Sequence, residues 1–134
     1  MARLLVGGLL TPLVAGCIAT APGVTASPPG SVDVTITSAA GTATAFDPAE
    51  IEVRAARPIV ITFRNASSLP HNLVFTAGLT AATRTIVEPG TSDELLVSPL
   101  APGTYPFVCT IHDGMSGKLI ARTTGSVADP AAAP

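Results

Sequence analysis

With 134 residues, 47% hydrophobic and 12% charged, the chain is long enough for one compact domain, and 12 Gly and 13 Pro argue for many turns. A net charge of -2, seven scattered Lys and Arg, four Phe, one Tyr and no Trp supply neither a basic footprint nor a stacking platform, which excludes nucleic acid as a partner.

The first residues read as an export signal. Arg3 gives a positive start, Leu4 to Val14 an apolar run, and Leu13-Val14-Ala15-Gly16-Cys17 a close of small residues. At about 20 apolar residues per membrane crossing, the run is too short to span. Residues 18–30 carry no charge and several breakers (Pro22-Gly23, Pro28-Pro29-Gly30), the composition of a tether. The folded unit is expected over 31–122, and 123–134, rich in Ala and Pro, is expected to be a disordered tail.

Within 31–122 the pattern is β. Short strand-prone runs are expected at Val32–Thr37, Ile51–Ala55, Ile59–Arg64, Asn72–Thr76, Thr83–Val87, Glu94–Ser98, Thr104–Cys109 and Lys118–Thr123. Asp47-Pro48, Arg57-Pro58, Glu88-Pro89-Gly90, Ala101-Pro102-Gly103 and Asp113-Gly114 divide them. Strands this short with turns this regular indicate a β-sandwich or barrel. Ile59, Ile61 and Phe63 should share an inner face, as should Tyr105, Phe107 and Cys109, so that the Cys109 thiol closes an inward-facing row at one pole. Leu79 to Ala82 is too short a run to assign as a helix.

The rare residues collect in one pattern. Cys109, His112 and Met115 lie within Cys109-Thr110-Ile111-His112-Asp113-Gly114-Met115, and His71 stands upstream in Pro70-His71-Asn72. They are both histidines of the chain, its one methionine besides Met1, and one of its two cysteines. A thiolate, two imidazoles and a thioether make the ligand set of a blue-copper electron-transfer site. Three ligands on one tight loop and a fourth from another would crosslink the end of the sandwich, with Gly114 and Gly117 permitting the sharp turn back. Taken singly, each residue has an ordinary alternative: a surface histidine, a core methionine, a buried inert thiol. Zinc would suit the Cys/His pair but closes its shell with Cys, His or carboxylate rather than a thioether.

These residues carry a resemblance. Cys109-x-x-His112-x-x-Met115 behind Pro70-His71-Asn72 resembles the cupredoxins, and the two-residue gap before the methionine is most similar to amicyanins in the plastocyanin-like group. Phe46-Asp47-Pro48, Val60-Ile61-Thr62-Phe63-Arg64-Asn65, Leu100-Ala101-Pro102-Gly103-Thr104-Tyr105 and Gly114-Met115-Ser116-Gly117 match family landmarks in order. The resemblance implies an all-β, antiparallel Greek-key sandwich holding one type 1 copper, with His71, Cys109 and His112 equatorial, Met115 axial, and Asn72 bracing the ligand loop. It further implies a monomer that hands electrons to a redox partner docking near His112, amid Leu69, Pro70, Ile111 and Gly114. Ile111 and Asp113 depart from the prolines common around the loop histidine, which leaves the loop less rigid in principle.

Leu-Val-Ala-Gly-Cys similarly resembles a bacterial lipobox, implying cleavage before Cys17, lipid on its thiol, and a membrane-anchored protein facing the periplasm or cell exterior. The alternative is cleavage after Ala19-Thr20-Ala21 and a soluble periplasmic protein. Either way Cys17 is spent on export, and Cys109 remains a lone thiol in an oxidising compartment. Three functions are compatible with the residues: a one-electron carrier, a protein storing or delivering copper, and a structural β-domain with a degenerate site. With every copper position filled by the chain and no further histidine for a second centre, an enzyme is not expected.

Overall fold

The structure is a computed structural model, and it describes residues 27–123. The expected signal, lipid-bearing Cys17, most of the tether and nearly all of the C-terminal tail lie outside the described residues. Among the described residues there are eight strands and no helix: β1 (Val32–Ser38), β2 (Phe46–Asp47), β3 (Glu50–Arg54), β4 (Ile59–Arg64), β5 (Val74–Phe75), β6 (Ser92–Val97), β7 (Gly103–Val108) and β8 (Ser116–Arg122).

Alternation of apolar and polar residues sorts these strands into two layers. One sheet runs β2-β1-β4-β6 and the other β3-β8-β7-β5. Ile36, Ile59, Ile61, Phe63, Leu95 and Val97 of the first face Val53, Phe75, Tyr105, Phe107, Leu119 and Ala121 of the second, all buried in one core. Each large apolar side chain so enclosed contributes roughly 1.5–3 kcal/mol. Phe46 and Phe75 pack edge-on against Phe107, with centroids 5.1 and 5.5 Å apart, and Phe46 meets Phe63 likewise at 5.9 Å.

The β-sandwich expected from the sequence is therefore present, but its sheets are mixed. β1 pairs with β4 in parallel, as β3 does with β8, while β1–β2, β4–β6, β5–β7 and β7–β8 are antiparallel. The reason is connectivity. The chain leaves the first sheet after β2, contributes β3 to the second, and returns as β4 in the direction of β1, the long crossover that parallel pairing requires.

Two further differences matter for the site. Thr83–Val87, expected as a strand, forms no ladder: within it only Val87 makes a bridge, to His71, and the Thr83 N–H donates to the Leu73 carbonyl at 2.9 Å. The segment passes from the β5 edge of one sheet to β6 in the other and cannot keep register with either. A side chain takes over part of the ladder: the Thr83 hydroxyl accepts from the Leu73 N–H at 2.9 Å. β2, which the sequence reading missed, is only two residues long, too short to show a period. β1, β4 and β7 all run toward the same pole, and the loops that follow β4 and β7 bring the rare residues there.

Candidate metal centre

Cys109 follows the last residue of β7, and Met115 precedes the first of β8. Val108 pairs with Ser116, so 109–115 is the loop of a β-hairpin. The loop is closed by the Cys109 N–H donating to the Met115 carbonyl at 2.9 Å. Gly114 turns the chain at φ +78°, a region that L side chains rarely adopt. Gly117 has a different role from the expected turn. A Cβ there would overlap Phe107 Cε2 and lie 2.5 Å from Phe107 Cζ and 2.6 Å from the Ala49 carbonyl oxygen, so this position is glycine for space.

His71 comes from the loop between β4 and β5. It exchanges backbone hydrogen bonds with Val87, whose N–H donates to His71 O at 2.8 Å while the His71 N–H donates to Val87 O at 3.2 Å. Asn72 joins this segment to the hairpin loop. Its Oδ1 accepts from the Thr110 N–H at 2.8 Å, and its Nδ2 donates to Thr110 Oγ1 at 2.8 Å and to the Thr85 carbonyl at 3.0 Å. Asn72 thus hydrogen-bonds across to the hairpin loop, and its partners Thr110 and Thr85 are residues that nothing in the sequence singles out.

His71, Cys109 and His112 converge. Their donor atoms all lie within 4.8 Å of one another, with Cys109 Sγ 3.8 Å from His71 Nδ1 and 3.7 Å from His112 Nδ1. Those separations are long for a strong hydrogen bond. They match a different arrangement: bonds of about 2.0 Å to nitrogen and 2.3 Å to sulfur, meeting near 120°, separate N from S by about 3.7–3.8 Å. The two imidazole rings stand 4.6 Å apart, centre to centre. Cys109 and His71 are buried, Met115 is 1% exposed, and His112 is half-buried, so it alone of the four reaches toward solvent. Cys109 forms no disulfide among the described residues. A thiolate, two nitrogens facing it and a buried thioether beside them suit one type 1 copper ion.

Electrostatically the pocket disfavours a proton on His71. Burial pushes its pKa below the ordinary 6.5, and the neighbouring His112 pushes it the same way. A neutral imidazole is the form that binds metal. His112 is flanked in the loop by Ile111, 39% exposed, and by the exposed Asp113, and on the His71 loop Leu69 and Pro70 are half-buried.

The comparisons with known proteins agree with this geometry. Residues 11–121 match the family model for a cupredoxin-like domain. The chain is 30% identical over 96 residues to amicyanin-alpha of Methylorubrum extorquens, covering 70% of this chain and 74% of that one. Among solved structures, a dithionite-reduced auracyanin from the photosynthetic bacterium Roseiflexus castenholzii superposes with a TM-score of 0.58 at 27% identity, over 68% of this chain and 97% of the other. Auracyanin A, a blue copper protein of Chloroflexus aurantiacus, shares the fold with a TM-score of 0.60 at 22% identity, over 69% and 100%. The chain therefore belongs to the cupredoxin-like family.

Proposed function

We propose that the protein is a one-electron carrier in which His71, Cys109, His112 and Met115 would hold one copper ion. The observation that carries this reading is the spacing of the two Nδ1 atoms at 3.7 and 3.8 Å from Cys109 Sγ, on loops already tied together by Asn72. When bound, the copper supplies a Cu(II)/Cu(I) couple. The chain's own residues do the rest. The β7–β8 hairpin and the Asn72–Thr110 bonds keep the donors at fixed separations, so that little must rearrange when the charge of the site changes by one. Cys109, His71 and Met115 are closed off from water, which leaves the half-buried His112 ring as the route for the electron. The exposed Ile111 beside it, together with the half-buried Leu69 and Pro70 of the His71 loop, suits brief docking of a redox partner, since small interfaces are weak and short-lived.

The apolar run before Cys17 supports a reading of the protein as exported, with a lipid anchor on Cys17 and the domain facing the periplasm or cell exterior. Storage or delivery of copper, the competing reading, requires that the metal leave readily. Copper added to the purified protein should produce an intense thiolate charge-transfer band that Cys109→Ser abolishes, and voltammetry should show fast, reversible one-electron exchange. A colourless complex that yields its copper to a chelator would overturn the carrier reading in favour of storage.

A further inference from the structure

The orientation of a metal-binding imidazole is ordinarily set by groups beyond the metal's own ligands. Such a ring usually donates its second N–H to a carboxylate, a carbonyl or water, and that bond fixes its orientation. Here Nε2 is buried and meets no hydrogen-bonding protein group among the described residues. The main chain that carries the ring is clamped by a buried polar cluster.

The centre of this cluster is Asn65, fully buried just after β4. Its Nδ2 donates to the Leu69 carbonyl and to the Val87 carbonyl, both at 2.8 Å. Its Oδ1 accepts from the Ser38 hydroxyl at 2.8 Å and from the Ser67 N–H at 3.0 Å. All four hydrogen-bonding positions of the carboxamide are used. Ser38, at the end of β1, in turn accepts from the N–H groups of Ala66 and Ser67 at 3.0 and 3.1 Å. The far side of the loop is pinned as well, the Ser67 and Ser68 hydroxyls both donating to the Gly41 carbonyl at 2.9 Å. The Val87 carbonyl that accepts from Asn65 is the same oxygen that accepts the His71 N–H at 3.2 Å. One carboxamide therefore sets both the peptide oxygen opposite His71 and the carbonyl two residues before it.

Building on the assignment of His71 as a copper ligand, we infer that Asn65, held by Ser38, is a positioning residue of the copper centre. It aims the His71 ring through the Leu69 and Val87 carbonyls. A buried amide that only stabilised the sandwich would affect melting and leave the centre alone. A positioning residue changes the centre at temperatures where the fold is intact.

Asn65→Asp tests the difference, because it preserves shape and the acceptor toward Ser38 while removing both donors. In the metal-free protein, exchange of the His71 and Val87 amide protons, measured against the Leu119 amide of the core, should accelerate about threefold to tenfold, the factor for losing hydrogen bonds of ordinary net strength. In the copper-loaded protein, the charge-transfer band should shift or lose intensity and the reduction potential should move. Val53→Ala, a cavity in β3, serves as the control: it should lower the melting temperature with band, potential and exchange ratio as in the parent protein. The inference is overturned if Asn65→Asp lowers only the melting temperature. Should Asn65→Asp fail to fold, Ser38→Ala is measured in the same way, and an unchanged band together with an unchanged exchange ratio overturns it equally. A parent protein that shows no thiolate band refutes the ligand assignment instead, and the exchange ratio in metal-free protein then decides whether the clamp exists.

Discussion

Gly117→Ala adds one methyl group at a place where the structure leaves no room for it. The new carbon would overlap Phe107 Cε2 and stand 2.5 Å from Phe107 Cζ and 2.6 Å from the oxygen of Ala49. Neither neighbour yields easily. The Phe107 ring is fully buried and held edge-on by Phe46 and Phe75, and the Ala49 carbonyl accepts from the Lys118 N–H at 2.8 Å. Overpacking of a tight core costs about 1–3 kcal/mol, and a clash with both a wedged ring and a bonded carbonyl places this case near the top of that range. For a domain of this size, about 2–3 kcal/mol corresponds to a fall in Tm of roughly 10–20 °C. Calorimetry of the metal-free protein measures this directly, and a double-mutant cycle identifies the cause. Phe107→Leu frees space beside Gly117, so the pair Gly117→Ala with Phe107→Leu should cost clearly less than the two single changes added together. A Tm within about 2 °C of the parent for Gly117→Ala, or strict additivity with Phe107→Leu, would show that steric exclusion by Phe107 is not why this position is glycine.

Removing the brace between the two loops should also be measurable. Asn72→Ala deletes three hydrogen bonds and should cost about 2–3 kcal/mol in denaturant unfolding of the metal-free protein, whereas Thr110→Val removes only the one to the hydroxyl and should cost about 1 kcal/mol; equal losses would contradict the assigned division of bonds. The metal-free protein should also lose stability in acid for a reason located at His71. Its folded-state pKa lies below the ordinary 6.5, so above that value both folded and unfolded states are neutral there and its contribution is fully present. As pH falls below 6.5 the unfolded chain takes the proton first, and stability declines until the folded-state pKa is passed. Urea midpoints across this range should fall with pH, and His71→Gln should flatten the slope; an unchanged slope in His71→Gln would assign the acid sensitivity elsewhere.

The site was more legible in the sequence than the topology. Cys109, His112 and Met115 could be grouped because they share one short loop, where spacing alone limits their separation, and their side chains cannot be exchanged for others without losing the donor set. The row Tyr105, Phe107, Cys109 was readable from strand period, and all three are buried as expected. Asn72 could be singled out only through the family resemblance, which marks the residue after His71. Its partners could not, since Thr110 and Thr85 are common residues whose relevance exists only once two distant loops meet. Asn65 was visible as part of a familiar stretch, yet its four hydrogen bonds connect positions 38, 67, 69 and 87, and nothing local announces them.

The same distinction runs through the whole molecule. The sequence by itself determined the all-β character, the strand faces, the choice of His71, Cys109, His112 and Met115 as candidate donors and the side of the hairpin on which the thiol points, because each follows from a period, a spacing or a rarity along the chain. Tertiary structure alone decided that β1 and β4, and β3 and β8, lie parallel, that 83–87 forms a strap instead of a strand, and that Gly117 makes room for a ring instead of a turn. Above all, it decided the 3.7–3.8 Å spacing of nitrogen and sulfur, which depends on closing a loop 38 residues long between His71 and Cys109. Distances of that kind are fixed by the packing of two sheets and by buried hydrogen bonds between them, which chain order does not encode locally.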